Sequence, residues 1–284
     1  MHDALHRGRI EERLELENGT AHLALSLDHP ASAPKSATPI LYLHGFGSSK
    51  AGDKAMFFRR HFLRQGRPFC ALDFRGHGDS GGDLFDLSLS RNLDDIGRAH
   101  GFLRSLGYRK MILFGSSMGG VSALWYAAFH PAAIQAAIHI APALAMEQSL
   151  LRRVGEKEAQ RWQREGRLFF PHERAPCELS WALIEDLRTF DKGRLSRLYR
   201  TPTLIFQGGQ DDTVSPDEVI DFARGCAEAA ITLHLMGDGD HRLVDRLEHL
   251  WRVTTSFLEA LDLDRDSLGG SLPAEERIAG EAID

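Results

Sequence analysis

The sequence predicts an α/β chain: a mostly parallel, eight-stranded sheet with an antiparallel start, helices on both faces and a small helical cap. Three observations carry that reading. Continuous apolar runs follow one another from Ile40 onward: "ILYLHG", "FCALDF", "KMILFG", "AAIHIAP", "TLIFQGG" and "ITLHLMG". Strands buried on both faces read this way, because a sheet covered by helices has no polar face. Segments of helical period lie between the runs, and such alternation marks a parallel sheet wound with helices. Ahead of them, two segments alternate polar and apolar residues, which adds an antiparallel pair and completes the eight strands.

The elements follow in order. "RIEERLELE" and "AHLALSLD" are joined by Asn18-Gly19, a hairpin signal at a sheet edge. Pro30, Pro34 and Pro39 then punctuate a surface loop. Helices are expected at about 52–65, 90–106, 118–129, 216–228 and 243–261. No internal repeat is visible. One connection is long: residues 145–200 separate "AAIHIAPAL" from "TLIFQGG". Long connections of this kind usually carry function. The segment is polar and helical in pattern, with 12 Lys and Arg against 9 Asp and Glu. It reads as a cap over the carboxyl ends of the strands, the place where open α/β sheets bind ligands. The core therefore spans 1–144 and 201–262. Residues 263–284, acidic and without apolar period, read as a flexible tail.

Composition excludes several classes. A net charge of −6 argues against a nucleic-acid partner. No apolar run is long enough to span a bilayer. The charged start "MHDALHRGRIEERLELE" does not resemble a secretory signal. Cys70, Cys177 and Cys226 lie far apart, at neither disulfide-framework nor zinc spacing. A cytoplasmic, reducing location is expected. Neither a metal nor a cofactor is.

Two stretches, "KMILFGSSMGG" and "RGHGDSGGDL", each place a serine midway between glycines. Ser117 follows a buried strand directly and precedes "VSALWYAAFH", a good helix start. Strand, sharp turn and helix make a nucleophile elbow. The backbone there is strained, and side chains at 115 and 119 would collide with strand and helix, so both positions are glycine. Ser80 is already past its strand and is followed by Gly-Gly-Asp, a poor helix start, so it reads as a loop serine.

A serine hydroxyl needs a base. The elbow predicts the chain order Ser, acid, His. "TLIFQGGQDDTVSP" places Asp211 and Asp212 after a buried strand, and "ITLHLMGDGDHRLVDRL" places His241 after the last one. Both loops lie at the same sheet edge as Ser117. His241 is then positioned to take the serine proton, and a carboxylate to fix its tautomer. Asp211 lies nearer the strand end than Asp212, and either can act as a turn former. The oxyanion donors are expected at the backbone N–H of Met118, after the nucleophile, and of Phe46, in the loop "HGFGSS" after the third strand.

Taken in order, "LYLHGFGSS", "LDFRGHGDSGG", "GSSMGG", "GGQDDTV" and "GDHRL" resemble the α/β-hydrolase superfamily from about Arg9 to Leu261. The resemblance implies that Asp73 and the following "RGHG" are structural, and that the pattern Gly208, Asp211, Val214 marks Asp211 as the acid. "SSKAGDKA", "LIEDLR" and "DHR" are similar to the serine esterase and thioesterase branch of the mitochondrial abhydrolase-domain palmitoyl-protein thioesterases and their bacterial relatives. The departures are His44-Gly45, where those relatives often have Pro-Gly, and the cap, which matches least.

The sequence thus predicts a serine hydrolase acting on a small-molecule acyl ester or thioester through Ser117, His241 and Asp211. Trp162, Phe169, Phe170 and Trp181 are candidates for an acyl pocket under the cap. An acyltransferase or lyase on the same scaffold, or a non-catalytic ligand-binding member, are the alternatives.

Overall fold

The structure, a computed structural model, describes residues 8–16, 19, 21–34, 37–171 and 176–269, with side chains to 261. The chain divides into two compact units, Met1–Leu247 and Glu248–Asp284.

The first unit is built on one eight-stranded sheet. Strands β1 (Gly8–Glu15) and β2 (His22–His29) pair antiparallel from Gly8↔His29 to Glu15↔His22. Asn18 of the expected turn lies outside the described residues; Leu16 N–H still donates to Ala21 O at 2.9 Å, one step beyond the ladder. Then come β3 (Ile40–Leu43), helix α1 (Asp53–Arg64), β4 (Phe69–Leu72), α2 (Leu89–Ser105), β5 (Met111–Ser116), α3 (Met118–Phe129) and β6 (Ile134–Ile140). After the long connection, β9 (Thr203–Gly208), α8 (Pro216–Gly225) and β10 (Ile231–Met236) complete the sheet. The strand order is β1-β2-β4-β3-β5-β6-β9-β10, with β2 antiparallel to β4 and all later pairs parallel.

Both faces of the central strands are covered, which is why their sequences are uninterrupted apolar runs. Phe69 and Phe114 meet the aromatic stripe of α1, Phe58 and Phe62, with Phe58 and Phe114 centroids 4.4 Å apart, and Tyr42 packs against both strand residues. The intervening residues Leu41, Leu43, Cys70, Leu72 and Leu113 join the apolar cluster that contains Ile96, Leu103 and Leu124 of α2 and α3. Strand β10 departs from the pattern: it is an edge strand, with Thr232 and Leu235 exposed.

The connection between β6 and β9 contains α4 (Met146–Val154), α5 (Glu156–Glu165), a hairpin of β7 (Arg167–Phe170) and β8 (Cys177–Ser180), α6 (Ala182–Arg188) and α7 (Lys192–Leu198). The expectation of a purely helical segment misses the hairpin. Its signal is two short alternations: in Arg167–Phe170 every second side chain is buried, and Leu168 pairs with Leu179 over Trp162. Asp186 of α6 ties this connection to the core, accepting from Leu89 N–H at 2.7 Å and Ser90 N–H at 3.1 Å. A carboxylate at the open N-terminus of α2 satisfies donors the helix cannot satisfy itself.

Helix α9 (Leu247–Gly269), which from Glu248 on belongs to the second unit, begins four residues later than the helix expected at 243–261 and runs into the interval read as tail. Residues 270–284 of that expected tail lie outside the described residues.

Candidate active site

Ser117 sits between β5 and α3 with φ 53° and ψ −115°. A non-glycine residue there is strained by about 1–3 kcal/mol and persists only where its surroundings over-determine it. They do so by contact. A Cβ on Gly119 would lie 2.2 Å from Leu43 O, and one on Gly115 would lie 2.5 Å from Gly119 O. Strand, elbow and helix thus touch backbone to backbone. Ser117 N–H donates to Ile140 O at 2.9 Å, and Ser117 O accepts from Ala143 N–H at 3.1 Å. The hydroxyl is held at the N-terminus of α3, where the helix dipole favours negative charge.

Two loops on neighbouring strands bring the other groups in. The loop after β9 lies against the loop after β10: Gly209 N–H donates to Met236 O at 2.6 Å, and Gln210 N–H to Gly239 O at 2.9 Å. Side chains at Gly208 or Gly209 would strike Gly239 O and Gly237 O. That glycine-on-glycine contact places Asp211 beside His241. His241 Nδ1 lies 2.8 Å from Asp211 Oδ2, and Nε2 lies 3.0 Å from Ser117 Oγ. An Nδ1–H tautomer donates to the carboxylate and leaves Nε2 free to accept from the hydroxyl.

The Asp211 carboxylate is fully buried yet well satisfied. Oδ1 accepts from Thr213 N–H at 2.9 Å and Val214 N–H at 2.7 Å; Oδ2 also accepts from Gln207 Nε2 at 3.0 Å. Burial pushes its pKa up. The hydrogen bond and charge of His241, with the two backbone donors, outweigh burial and hold it below its ordinary value. Gln207, Thr213 and Val214 were not singled out from sequence; the faint signal is a polar residue ending the apolar run "TLIFQ".

The loop after β3 approaches from the other side. A Cβ on Gly45 would be 3.3 Å from Ser117 Cβ, which puts Phe46 next to the elbow. Met118 is the first residue of α3, so its N–H belongs to the helix turn that lacks intrahelical partners. His44, at the Pro-to-His departure, clamps this loop. Its Nδ1–H donates to Gly45 O at 2.7 Å, and its Nε2 accepts from Phe74 N–H at 3.1 Å. Burial, then nearby His77, push its pKa down to about 3 against the Gly45 bond, so the ring is neutral. Lys50 adds a second clamp, donating to Asp73 Oδ2 at 3.0 Å and to Asp79.

Other candidates fall outside this cluster. Ser80 Oγ donates to Asp73 O at 2.6 Å and accepts from Ala24 N–H at 2.8 Å, so it staples a loop. Asp212 is exposed and meets the hydroxyl of Thr213. The four aromatics of the β6–β9 connection separate by environment. Trp162 is fully buried, donates from Nε1 to Leu179 O at 3.0 Å, and meets Trp181 edge-on at 5.4 Å. It packs the connection itself. Phe169 is 62% exposed on the outer face of the hairpin. Phe170 is buried against Phe46, with centroids 5.9 Å apart, and the Arg153 guanidinium lies 5.1 Å from its ring centre. Phe170 thus lies beside Phe46, whereas Trp162 is enclosed within the connection and Phe169 faces outward. An open groove of about 700 Å³ lies between the Gly76–Asp86 loop and the hairpin; it is lined by Phe85, Arg167 and Cys177, among others, and by none of Ser117, Asp211 or His241.

Among the described residues, no group of three or more His, Cys, Asp or Glu side chains could hold a metal ion. No described helix is long and apolar enough to cross a membrane.

Solved structures share this architecture. Alpha/beta hydrolase domain-containing protein 10 from mouse is 20% identical, with a TM-score of 0.73, over 89% of this chain and 99% of that one. A putative hydrolase from Agrobacterium vitis S4 is 24% identical, with a TM-score of 0.75, over 88% and 99%. The esterase Est1E from Butyrivibrio proteoclasticus, solved with ferulic acid bound, is 21% identical, with a TM-score of 0.73, over 87% and 99%. At these identities the likeness establishes the fold. No curated protein sequence matches the chain. A family model described as serine aminopeptidase, S33, matches residues 34–176, just over half of the sequence, from the strand–loop segment before Phe46 through the elbow and into the β7–β8 hairpin. The chain therefore belongs to that hydrolase family, within the α/β-hydrolase superfamily.

Proposed function

We propose that the protein is a serine hydrolase of small carboxylic esters and acyl thioesters, with Ser117 as nucleophile, His241 as base and Asp211 as its orienting acid. The observation that carries this reading is the unbroken relay from Ser117 Oγ to His241 Nε2 at 3.0 Å, and from His241 Nδ1 to Asp211 Oδ2 at 2.8 Å. In the first half-reaction, Oγ attacks the acyl carbonyl as its proton passes to Nε2. The Phe46 and Met118 N–H groups hold the oxyanion, and Asp211 stabilises the imidazolium. His241 then protonates the departing alkoxide or thiolate. In the second, His241 takes a proton from water as the resulting hydroxide attacks the acyl-enzyme, and it returns that proton to Ser117 Oγ as the acid leaves.

The family description raises aminopeptidase chemistry as an alternative. That activity requires recognition of an ammonium group. Here the Arg153 guanidinium lies over Phe170, which packs on Phe46, and this positive charge disfavours a second cation on that side of the loop. The likeness in fold to the Pyrococcus furiosus esterase Pf2001 supports the ester reading. The β6–β9 connection acts as the cap that selects the acyl group. Free Cys70, Cys177 and Cys226 suit a reducing compartment such as the cytoplasm.

The test is a panel of p-nitrophenyl esters, acyl thioesters and aminoacyl p-nitroanilides, combined with fluorophosphonate labelling. Esters and thioesters turn over, anilides far more slowly. Labelling is lost in Ser117→Ala and kept in Ser80→Ala. Labelling of Ser117→Ala, or turnover confined to aminoacyl anilides, overturns the proposal.

A further inference from the structure

We infer that Lys54 is a positioning residue that sets the separation of the two oxyanion donors. The inference rests on the proposed role of Ser117. The donors sit on separate segments: Phe46 on the loop after β3, and Met118 at the start of α3. Both N–H groups must converge on one oxygen within a few tenths of an ångström, so the two segments need fixed spacing.

The two segments lie close together at one side. Gly45 abuts Ser116 O and Ser117 Cβ at about 3.3 Å as measured from its would-be Cβ, which limits approach but does not prevent separation. The other clamps on the loop, His44 and Lys50, tie it to Phe74, Asp73 and Asp79, all on the β4 side. The side-chain tie toward the elbow is Lys54. Its Nζ donates to Ser116 Oγ at 2.9 Å, across 62 residues of sequence. Ser116 is the residue before Ser117 and is 5% exposed.

A short, stiff path joins Phe46 to Lys54. Ser48 N–H bonds Gly45 O at 3.2 Å, Gly52 N–H bonds Ser49 O at 3.0 Å, and Met56 N–H bonds Gly52 O at 2.9 Å as α1 begins. Consecutive turns therefore transmit the position of Lys54 to the oxyanion loop.

Because the tie acts on the oxyanion geometry, its loss is felt in the transition state more than in substrate binding. Lys54→Met and Ser116→Ala should each lower kcat by about 10- to 100-fold, less than or near the loss of one oxyanion donor, with KM close to native. The double variant should be no worse than either single one, since both break the same bond. Lys54→Arg should recover part of the loss. Affinity for a boronic acid analogue should fall in step with kcat, while inhibition by the carboxylic acid product stays near native. Unchanged kcat, additive losses, or an equal fall in analogue and product affinity overturns the inference. Should Lys54→Met fail to fold, Ser116→Ala with the two inhibitors decides alone. Ser117→Ala run in parallel separates the two readings: if that variant keeps turnover, the proposed function fails; if it is inactive while Lys54→Met and Ser116→Ala are native, only the positioning role fails.

Discussion

The carboxyl edge of the sheet holds Ser117, Ala141 and Leu243, which are the non-glycine residues with positive φ among those described; the described residues of 145–200 contain none. The edge is also where backbones touch directly, at Gly115, Gly119, Gly208 and Gly209. Beneath it lie buried polar atoms without partners, both ring nitrogens of His139 and Oε1 of Gln207. The connection is built differently. Its aromatics Trp162 and Trp181 pack into ordinary apolar contact, and Asp186 ties it to α2. Strain is concentrated where the central strands can over-determine it. Substitution at the edge should therefore change chemistry, and substitution in the connection should change stability or selectivity.

The largest effect expected is at the edge. Asp211→Asn should lower turnover by about 10³- to 10⁴-fold, because an amide favours the wrong imidazole tautomer. Asp212→Asn should leave it within a few-fold of native, since Asp212 is exposed and meets Thr213 rather than His241. Steady-state hydrolysis of one activated ester ranks the two. The reverse ranking would break the comparison at its strongest point.

The same contrast explains what was legible in the sequence. The elbow is a local device: a strand, two glycines and a helix start lie within a dozen residues, and each glycine has a steric reason nearby. Five of the six apolar runs are legible because burial on both faces leaves an uninterrupted pattern; the sixth, β10, is an edge strand. Asp211 over Asp212 was less so, because the decision lies in Val214 and Thr213 N–H groups and in a glycine contact across to Gly239. Gln207, His44 and Lys54 act across 4 to 62 residues of sequence, and composition carries no trace of such pairings. The β7–β8 hairpin escaped because four-residue alternations are too short to stand out from a polar helical segment. Among the aromatics of the β6–β9 connection, residue type gave no hint of which side chain faces which way.

In the connection the largest change should be thermodynamic. Trp162 is fully buried, so Trp162→Ala should cost about 3–5 kcal/mol, a large share of a typical domain's margin. Thermal unfolding should show that loss, while short-ester turnover measured well below the transition stays near native. A loss of turnover without a loss of stability would place Trp162 in the site after all.

A smaller effect is expected under the edge, and it depends on pH. Burial pushes the His139 pKa down to about 3. The folded state therefore keeps the ring neutral while the unfolded chain, near 6.5, takes up a proton as the solution is acidified. Stability from this group is intact above about pH 6.5 and is lost as pH falls toward 3. Between pH 7.5 and pH 5 the loss should be about 2 kcal/mol. His44 behaves in the same direction, so only the difference between native and variant isolates one ring. Denaturant unfolding of His139→Leu at both pH values should show a pH dependence smaller by that amount. An unchanged dependence would mean that His139 is solvated or paired in solution.

The smallest effect is the one that decides whether the connection selects substrate. Phe170 lies against Phe46, the residue proposed to supply an oxyanion N–H, and Phe169 beside it in sequence is 62% exposed. One hairpin thus carries its own control. Truncating Phe170 removes apolar surface next to the elbow; truncating Phe169 removes it from solvent. Each methylene of an acyl chain that gains or loses contact there is worth about 0.8 kcal/mol, roughly a factor of four in kcat/KM. Phe170→Ala should accordingly shift the ratio of kcat/KM between a six-carbon and a two-carbon acyl ester by several-fold, with the two-carbon ester near native. Phe169→Ala should leave the ratio unchanged. Because Phe170 also packs, its unfolding temperature should be measured alongside. A drop in stability with an unaltered ratio would make the hairpin a roof over the site that does not read the acyl group. A shift from Phe169→Ala would mean that the outer face of the hairpin turns toward substrate in solution.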